Sequence, residues 1–349
     1  MTSDKAGGSS PASSADPANP ARPARQSEAL ARLEGLARYD PGGRGLSSKA
    51  PTGLLEPAAM ALLAARRVMI VTGFCVRSAM TGETDGPPGA SALASALVSL
   101  GSTVMILTDR HSAGLVAAAL AARTPPTKPG MDTNAEKVTE LDAEKVISPD
   151  ARPGLTTGQV VPVATLPDDD REAAQACLDL ASSFAPDLIL AVERPGGAAD
   201  GHRYSMRGTL LDDIAPSADI LFTSAENRGW KTAAIGDGGN ELGMGSLRDS
   251  CVSAVALGQQ IFCAAGSDFP VVAGISNWGA YALAGAISIL AGMAVLPAPA
   301  EELLALQAVY EAGGVDGATR EHSCTVDGLP ADEYLRTIRQ MYTLVLESI

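Results

Sequence analysis

Histidine is almost absent from this chain. Only His111, His202 and His322 occur, and their scatter, together with the lack of an HExxH segment, argues against a histidine-built zinc centre. No GxxxxGK[ST] segment is present, so a P-loop is not expected, and nothing resembles the GxSxG nucleophile elbow. The five cysteines, Cys75, Cys177, Cys251, Cys263 and Cys324, form neither a CxxC pair nor a disulfide scaffold. Free thiols in a reducing compartment are expected. In His322-Ser323-Cys324, adjacent residues of an extended segment point to opposite faces, which argues against a nucleophile and its base. Basic residues are outnumbered, 26 Lys and Arg against 40 Asp and Glu, giving a formal charge of −14. Nucleic acid and anionic membrane are held chiefly by basic surface, so a small molecule is the expected partner. A homo-oligomer is compatible with the sequence.

The first fifty residues lack an apolar block and are rich in Ser, Ala, Pro, Gly and Arg. Residues 1–52 are therefore expected to form a disordered tail, apart from a short helix around Glu28 to Arg38 on its Leu30, Leu33 and Leu36 spacing. A secretory signal needs an apolar core, and a transit peptide should be poor in acids, whereas this stretch contains Asp4, Asp16, Glu28 and Glu34. A cytoplasmic protein follows by default. Phe269 to Ala300 has no charged residue, but its flanks are acidic and Ala and Gly dominate it. We read it as a strand at Val271 to Ala273, a turn, and a buried helix from Trp278 to Ala294 rather than a membrane span.

What the chain does have is a regular alternation. Apolar runs bounded by breakers fall at Val68 to Gly73, Val104 to Thr108, Val160 to Ala164, Leu188 to Val192, Ile220 to Thr223 and Thr232 to Ile235. Helical patterns occupy Pro87 to Leu100, Ala113 to Ala122, Asp168 to Phe184 and Ser246 to Ala264, and two more, Glu301 to Glu311 and Ala331 to Ser348, close the chain. This rhythm predicts an α/β domain over residues 53–349, a mostly parallel sheet with helices on both faces. Proline-broken residues 123–158 read as an irregular excursion.

In such folds ligands bind where loops leave the carboxyl ends of strands. Gly236 to Gly245 follows one strand and packs five glycines around Asp237, Asn240 and Glu241. Glycine permits positive φ and close backbone approach, at an entropic cost that an ordinary turn has little reason to bear. A glycine-rich turn with a helix cap is the simpler alternative. The segment begins like GxGxxG, but Glu241 stands where the last glycine belongs and acids stand where pyrophosphate would sit, so a dinucleotide is not expected. Four further loops carry polar groups: Thr72 to Ala90, with Gly73, Glu83, Thr84 and Asp85; Glu193 to Gly196; Ser205 to Gly208; and Thr223 to Asn227. Arg194 and Arg207 have the fork geometry that holds a carboxylate, and each could equally pair with an acid of the chain.

These loops resemble the D-glutamate cyclase family. The resemblance lies in six ordered blocks between Leu54 and Ile349: Thr72-Gly73-Phe74, Glu83 to Ala90, Glu193 to Gly196, Met206-Arg207-Gly208, Gly236 to Gly245, and Ser276-Asn277-Trp278-Gly279. Two departures stand out. The family usually carries an Asn-Tyr-Tyr-Asn run where this chain has His202-Arg203-Tyr204-Ser205, and here Thr72-Gly73-Phe74 leads into Cys75-Val76-Arg77.

The resemblance implies a lyase that converts D-glutamate to 5-oxo-D-proline and water, with no ATP and no required cofactor. Under that reading Asp237 or Glu241 is the proton shuttle, and the N–H groups of Gly238 and Gly239 are oxyanion donors. Arg194 or Arg207 clamps the α-carboxylate. Asn227, Asn240 and Asn277 bond the amine or carboxyl oxygens, and Gly73, Glu83, Thr84 and Asp85 line the substrate site. A cluster of Glu83, Asp85, Asp237 and Glu241 could instead hold Mg²⁺, Mn²⁺ or Ca²⁺. Another enzyme of small amino acids or lactams, such as an amidohydrolase, and an amino-acid-binding protein without turnover stay open.

Overall fold

The computed structural model describes residues 21–123 and 160–349. Residues 1–20 of the expected tail and 124–159 of the expected excursion lie outside the described residues. Six strands form one sheet: β1 (Arg67–Thr72), β2 (Thr103–Thr108), β3 (Val163–Thr165), β4 (Leu188–Val192), β5 (Lys231–Gly236) and β6 (Phe269–Val272). Their spatial order is β3-β2-β1-β4-β5-β6, every neighbouring pair parallel. The order reverses between β1 and β4, and that is where a doubly wound sheet opens a crevice at its carboxyl edge.

Alternation along each strand feeds two cores. Val68 and Ile70 of β1 join one apolar cluster, and Met69 and Val71 join the other. The first face carries helices α1 (Ala21–Ala37), α2 (Leu55–Ala64), α3 (Pro87–Ser99), α4 (Ala113–Arg123), α6 (Ser276–Ala291), α7 (Pro299–Glu311) and α8 (Ala331–Leu346). The second face carries α5 (Asp170–Phe184), with Ala173, Cys177, Ala181 and Phe184 turned to the sheet. Every residue of α6 from Ser276 to Ile289 is buried. Small residues make that possible, since a Cβ on Gly279 would stand 2.6 Å from the Ile235 side chain and one on Gly285 2.9 Å from Val345. Among the described residues no helix is long and apolar enough to cross a membrane.

Three expectations need correction. Ile220–Thr223 is one turn of helix with Leu221 and Phe222 buried, because a four-residue apolar run carries no period that separates strand from helix. Ser246 to Ala264 is not one helix. It breaks into Gly245–Leu247, Arg248–Cys251 and Gly258–Ile261, with Leu257 at φ 56° and Gly258 packed where a Cβ would meet the Val252 carbonyl at 2.2 Å. The described part of the expected tail, from residue 21, is folded. Leu30 and Leu33 of α1 sit in the core, and the chain at its end meets the turn after β6 at Gly274, whose N–H donates to Ala37 O at 2.8 Å. A Cβ at Gly274 would stand 1.7 Å from the Tyr39 carbonyl oxygen, so only glycine lets this strap lie down. Its apolar positions are spaced by helical turns within a Pro- and Ser-rich composition, which hides them from a composition argument.

Candidate active site

The crevice at the switch point is a cleft of about 440 Å³. Its wall includes Phe74 and Glu83 from the chain after β1, Glu193 from the loop after β4, and Asp237 and Asn240 from the loop after β5. Arg44 from the N-terminal strap, Met206 and Arg207, and Arg320 and Asp327 from the C-terminal part complete it.

The loop after β5 is organised by Glu241. Its Oε1 accepts from the N–H groups of Asp237 (3.2 Å) and Gly238 (2.7 Å), and its Oε2 accepts from that of Gly239 (2.7 Å). Glu241 is therefore an anchor inside the loop rather than a proton shuttle, and the N–H groups expected as oxyanion donors already have an acceptor. Asn240 does face the cleft. Its Nδ2 donates to Tyr204 O at 2.8 Å, while its Oδ1 is buried without a partner among the described residues. Asp237 also faces the cleft and is 3% exposed.

Arg194 is not a clamp. It is fully buried, pairs with Asp109, and donates to the carbonyls of Gly73 and Pro216, stitching loops together beneath the cleft. Arg207 is an exposed residue that lines the mouth, where it donates to Ala318 O at 2.6 Å and to Gly317 O at 3.5 Å. Asn227 is exposed on the short helix Ala225–Arg228, just before the amino end of β5 and so at the edge opposite the cleft. It belongs to no site with the others. Thr84 and Asn277 are buried fasteners. Thr84 donates to Val315 O and Thr325 O, and Asn277 accepts from Gly86 and Gly89 N–H while donating to Thr84 O. Gly73, at φ 112°, donates to Glu193 O and lets β1 turn tightly against Ser112.

Asp85 sits at the amino end of α6. Its carboxylate accepts from the N–H groups of Ser276 (2.8 Å) and Asn277 (2.7 Å), and Asp237 Oδ2 accepts from the same Ser276 N–H at 3.2 Å. The partial positive charge of the helix end thus faces two carboxyls. Beside them stand two groups that the loop motifs did not single out. Glu193, at φ 42°, turns into the cleft from the loop whose next residue is Arg194. Arg44 spans Asp237 and Asp327, with Nη1 at 2.8 Å from Asp237 Oδ2 and Nη2 at 2.5 Å from Asp327 Oδ1. Only the family-like block Glu193 to Gly196 hinted at the first. Nothing local marked Arg44.

Crowding acids out of water changes how they hold protons. Burial, then Asp327 and Asp85, raises Glu83 well above the ordinary carboxyl range. Burial, then Glu241 and Asp85, does the same to Glu193. Burial and Glu193 lift Asp237 against the pull of Arg44, and Asp85 is pushed up to about 7, mainly by burial and Asp327. At the mouth, burial and the neighbouring Arg320 and Arg44 lower Arg207. The cleft thus favours the protonated form of its acids, within a site rimmed by guanidinium groups.

An open, doubly wound parallel sheet with polar loops converging at its switch point defines an α/β protein with a polar cleft at that edge. The chain belongs to the D-glutamate cyclase-like, C-terminal family, whose profile matches residues 33–342. It is 34% identical over 275 residues to the mitochondrial D-glutamate cyclase of Homo sapiens, an alignment that covers 77% of this chain and 40% of that protein. The chain accordingly spans well under half the length of that relative. A crystal structure of RecJ in complex with Mn²⁺ from Thermus thermophilus aligns with 93% of this chain and 43% of its own at 13% identity. Its TM-score of 0.34 is too low to carry an argument.

Proposed function

We propose that this protein is a lyase that closes D-glutamate onto itself to give 5-oxo-D-proline and water. The observation that carries the reading is the convergence of three buried acids, Glu83, Glu193 and Asp237, on a cleft whose mouth carries Arg207 and Arg320. Family membership supports it.

The chemistry is balanced within the substrate. A C–N bond forms between the α-amine and the γ-carboxyl carbon, and a C–O bond breaks. The ammonium gives up two protons and the departing oxygen takes up two, leaving as water. No proton is gained or lost overall, so an acid that takes a proton from nitrogen and passes one to oxygen serves both halves. Carboxyls whose hold on a proton is strengthened by burial suit that task, and Asp237 is our choice for the shuttle, with Glu83 also lining the cleft. Arg207 and Arg320 would hold the α-carboxylate. Because the attack is intramolecular, a cleft that fixes the folded rotamer lowers the barrier by orientation alone.

The test is incubation of the pure protein with D-glutamate, L-glutamate and each 5-oxoproline, with products resolved on a chiral column. Formation of 5-oxo-D-proline from D-glutamate supports the proposal. Ring opening without ring closure would replace it with an amidohydrolase, and a rise in melting temperature without product would replace it with a binding protein.

A further inference from the structure

We propose that Asp85, Glu193 and Asp237 form a binding site for one hard divalent cation, Mg²⁺ or Mn²⁺. Each offers a carboxylate oxygen, and the three oxygens lie within 4.8 Å of one another, inside the span of a single coordination sphere. They come from separate loops, after β1, β4 and β5, so chain proximity does not explain their meeting.

Glu193 sets this cluster apart from a solvated acidic patch. It is 6% exposed, it lines the cleft, and among the described residues its Oε2 is buried without a hydrogen-bond partner, the nearby Ser276 hydroxyl being unpaired as well. A buried carboxylate oxygen left in this way is costly unless something binds it. Arg44 does not meet the need, since its hydrogen bonds go to Asp237, Asp327 and the Gly274 carbonyl. The other two acids are held as metal-ligating carboxylates commonly are, by donors behind them. The N–H groups of Ser276 and Asn277 orient Asp85, and Arg44 with the Ser276 N–H orients Asp237. An all-oxygen donor set selects a hard cation. The set expected from sequence is Glu83, Asp85, Asp237 and Glu241; Glu241 is spent on its own loop, Glu83 stands outside the cluster, and Glu193 joins Asp85 and Asp237 instead.

The binding site stands on geometry, whereas its catalytic role rests on the cyclase reading. With the N–H groups of Gly238 and Gly239 taken by Glu241, a cation touching the γ-carboxyl would carry the charge that develops on its oxygen, and with Asp237 holding that cation the proton shuttle would pass to Glu83.

The experiment titrates Mn²⁺ into the full chain, stripped with chelator and held at neutral pH, with free Mn²⁺ read by electron paramagnetic resonance. One Mn²⁺ per chain, displaced by excess Mg²⁺, is expected. Glu193→Gln and Asp237→Asn should each weaken binding more than about tenfold, and Glu226→Gln on the far edge should not. Two ligand variants are used so that one misfolded protein, seen in its melting curve, does not decide the outcome. Absence of saturable binding to the wild type, or equal affinity across all variants, overturns the proposal. Mn²⁺ binding without turnover of D-glutamate leaves the metal site and removes the cyclase reading, and turnover by a chain that binds no Mn²⁺ does the reverse.

Discussion

Arg44 Nη1 donates to Asp237 Oδ2 at 2.8 Å across 193 positions of sequence. The same guanidinium grips Asp327, so one cation from the N-terminal strap ties together the two ends of the chain and a wall of the cleft. Replacing it with Gln leaves Asp237, whose side chain is 2% exposed, without its counter-ion. Breaking a buried pair from one side costs about 3 kcal/mol. Arg44→Gln should show that loss in urea unfolding at alkaline pH, where Asp237 is ionised, and a smaller one at acid pH, where its raised pKa keeps it protonated and neutral. An equal loss at both would show that packing, not charge, is what Arg44 supplies.

Asp85 gives a pH dependence of definite sign. Its folded value, about 7, lies above the unfolded 3.8, so the folded state favours the proton. The stability this confers is complete below the unfolded value and disappears as pH rises through about 7. In chelator, the unfolding free energy of wild type relative to Asp85→Asn should therefore fall by a few kcal/mol between mildly acid and mildly alkaline pH. A flat difference would mean that Asp85 titrates normally.

Glu241→Ala removes the acceptor of three backbone N–H groups at once. Each buried donor left unpaired costs about 1–3 kcal/mol, so the variant should lose at least that in stability and most of its turnover. Glu241→Gln, which keeps one carbonyl oxygen, should recover part of both. Since the anchor holds the loop without moving protons, the residual pH–rate profile should keep its shape, and a displaced profile would restore Glu241 to the proton path.

Arg207→Gln separates binding from chemistry. One charge-assisted contact is worth about 1.5–3 kcal/mol, which corresponds to a rise in KM for D-glutamate of roughly ten- to a hundredfold. With kcat little changed, the interaction is one made equally in ground and transition states. A fall in kcat at constant KM would place Arg207 at the reacting carboxyl instead.

Deleting residues 1–44 removes the buried Leu30 and Leu33 along with Arg44. At about 1.5–3 kcal/mol for each large apolar side chain, the truncated chain should melt far lower or fail to fold. A protein of unchanged melting temperature would return this segment to the status of a tail.

The strands were legible because each is a short apolar run closed by breakers. The expected Leu188 to Val192 is the observed strand, and Val104 to Thr108 differs by one residue. The site was legible only where chemistry follows chain order. Asp237, Asn240 and Arg207 were found on loops leaving strands. Glu193 and Arg194 show what sequence alone cannot settle, since neighbours on a loop face opposite ways and the one with the more suggestive side chain was buried against Asp109. Arg44 was beyond reach, because its role is set by tertiary docking at Gly274 and not by anything within its own segment.

That docking has a mechanical meaning. Gly274 lies between β6 and the first turn of α6, and the strap is pinned there by the Ala37 carbonyl on one side and Tyr39 on the other. The same first turn grips Asp85 and Asp237 through Ser276. The strap is thus moored only two residues from the Ser276 N–H that holds both acids, so the same short stretch of chain seats the segment after α1 and fixes the floor of the cleft.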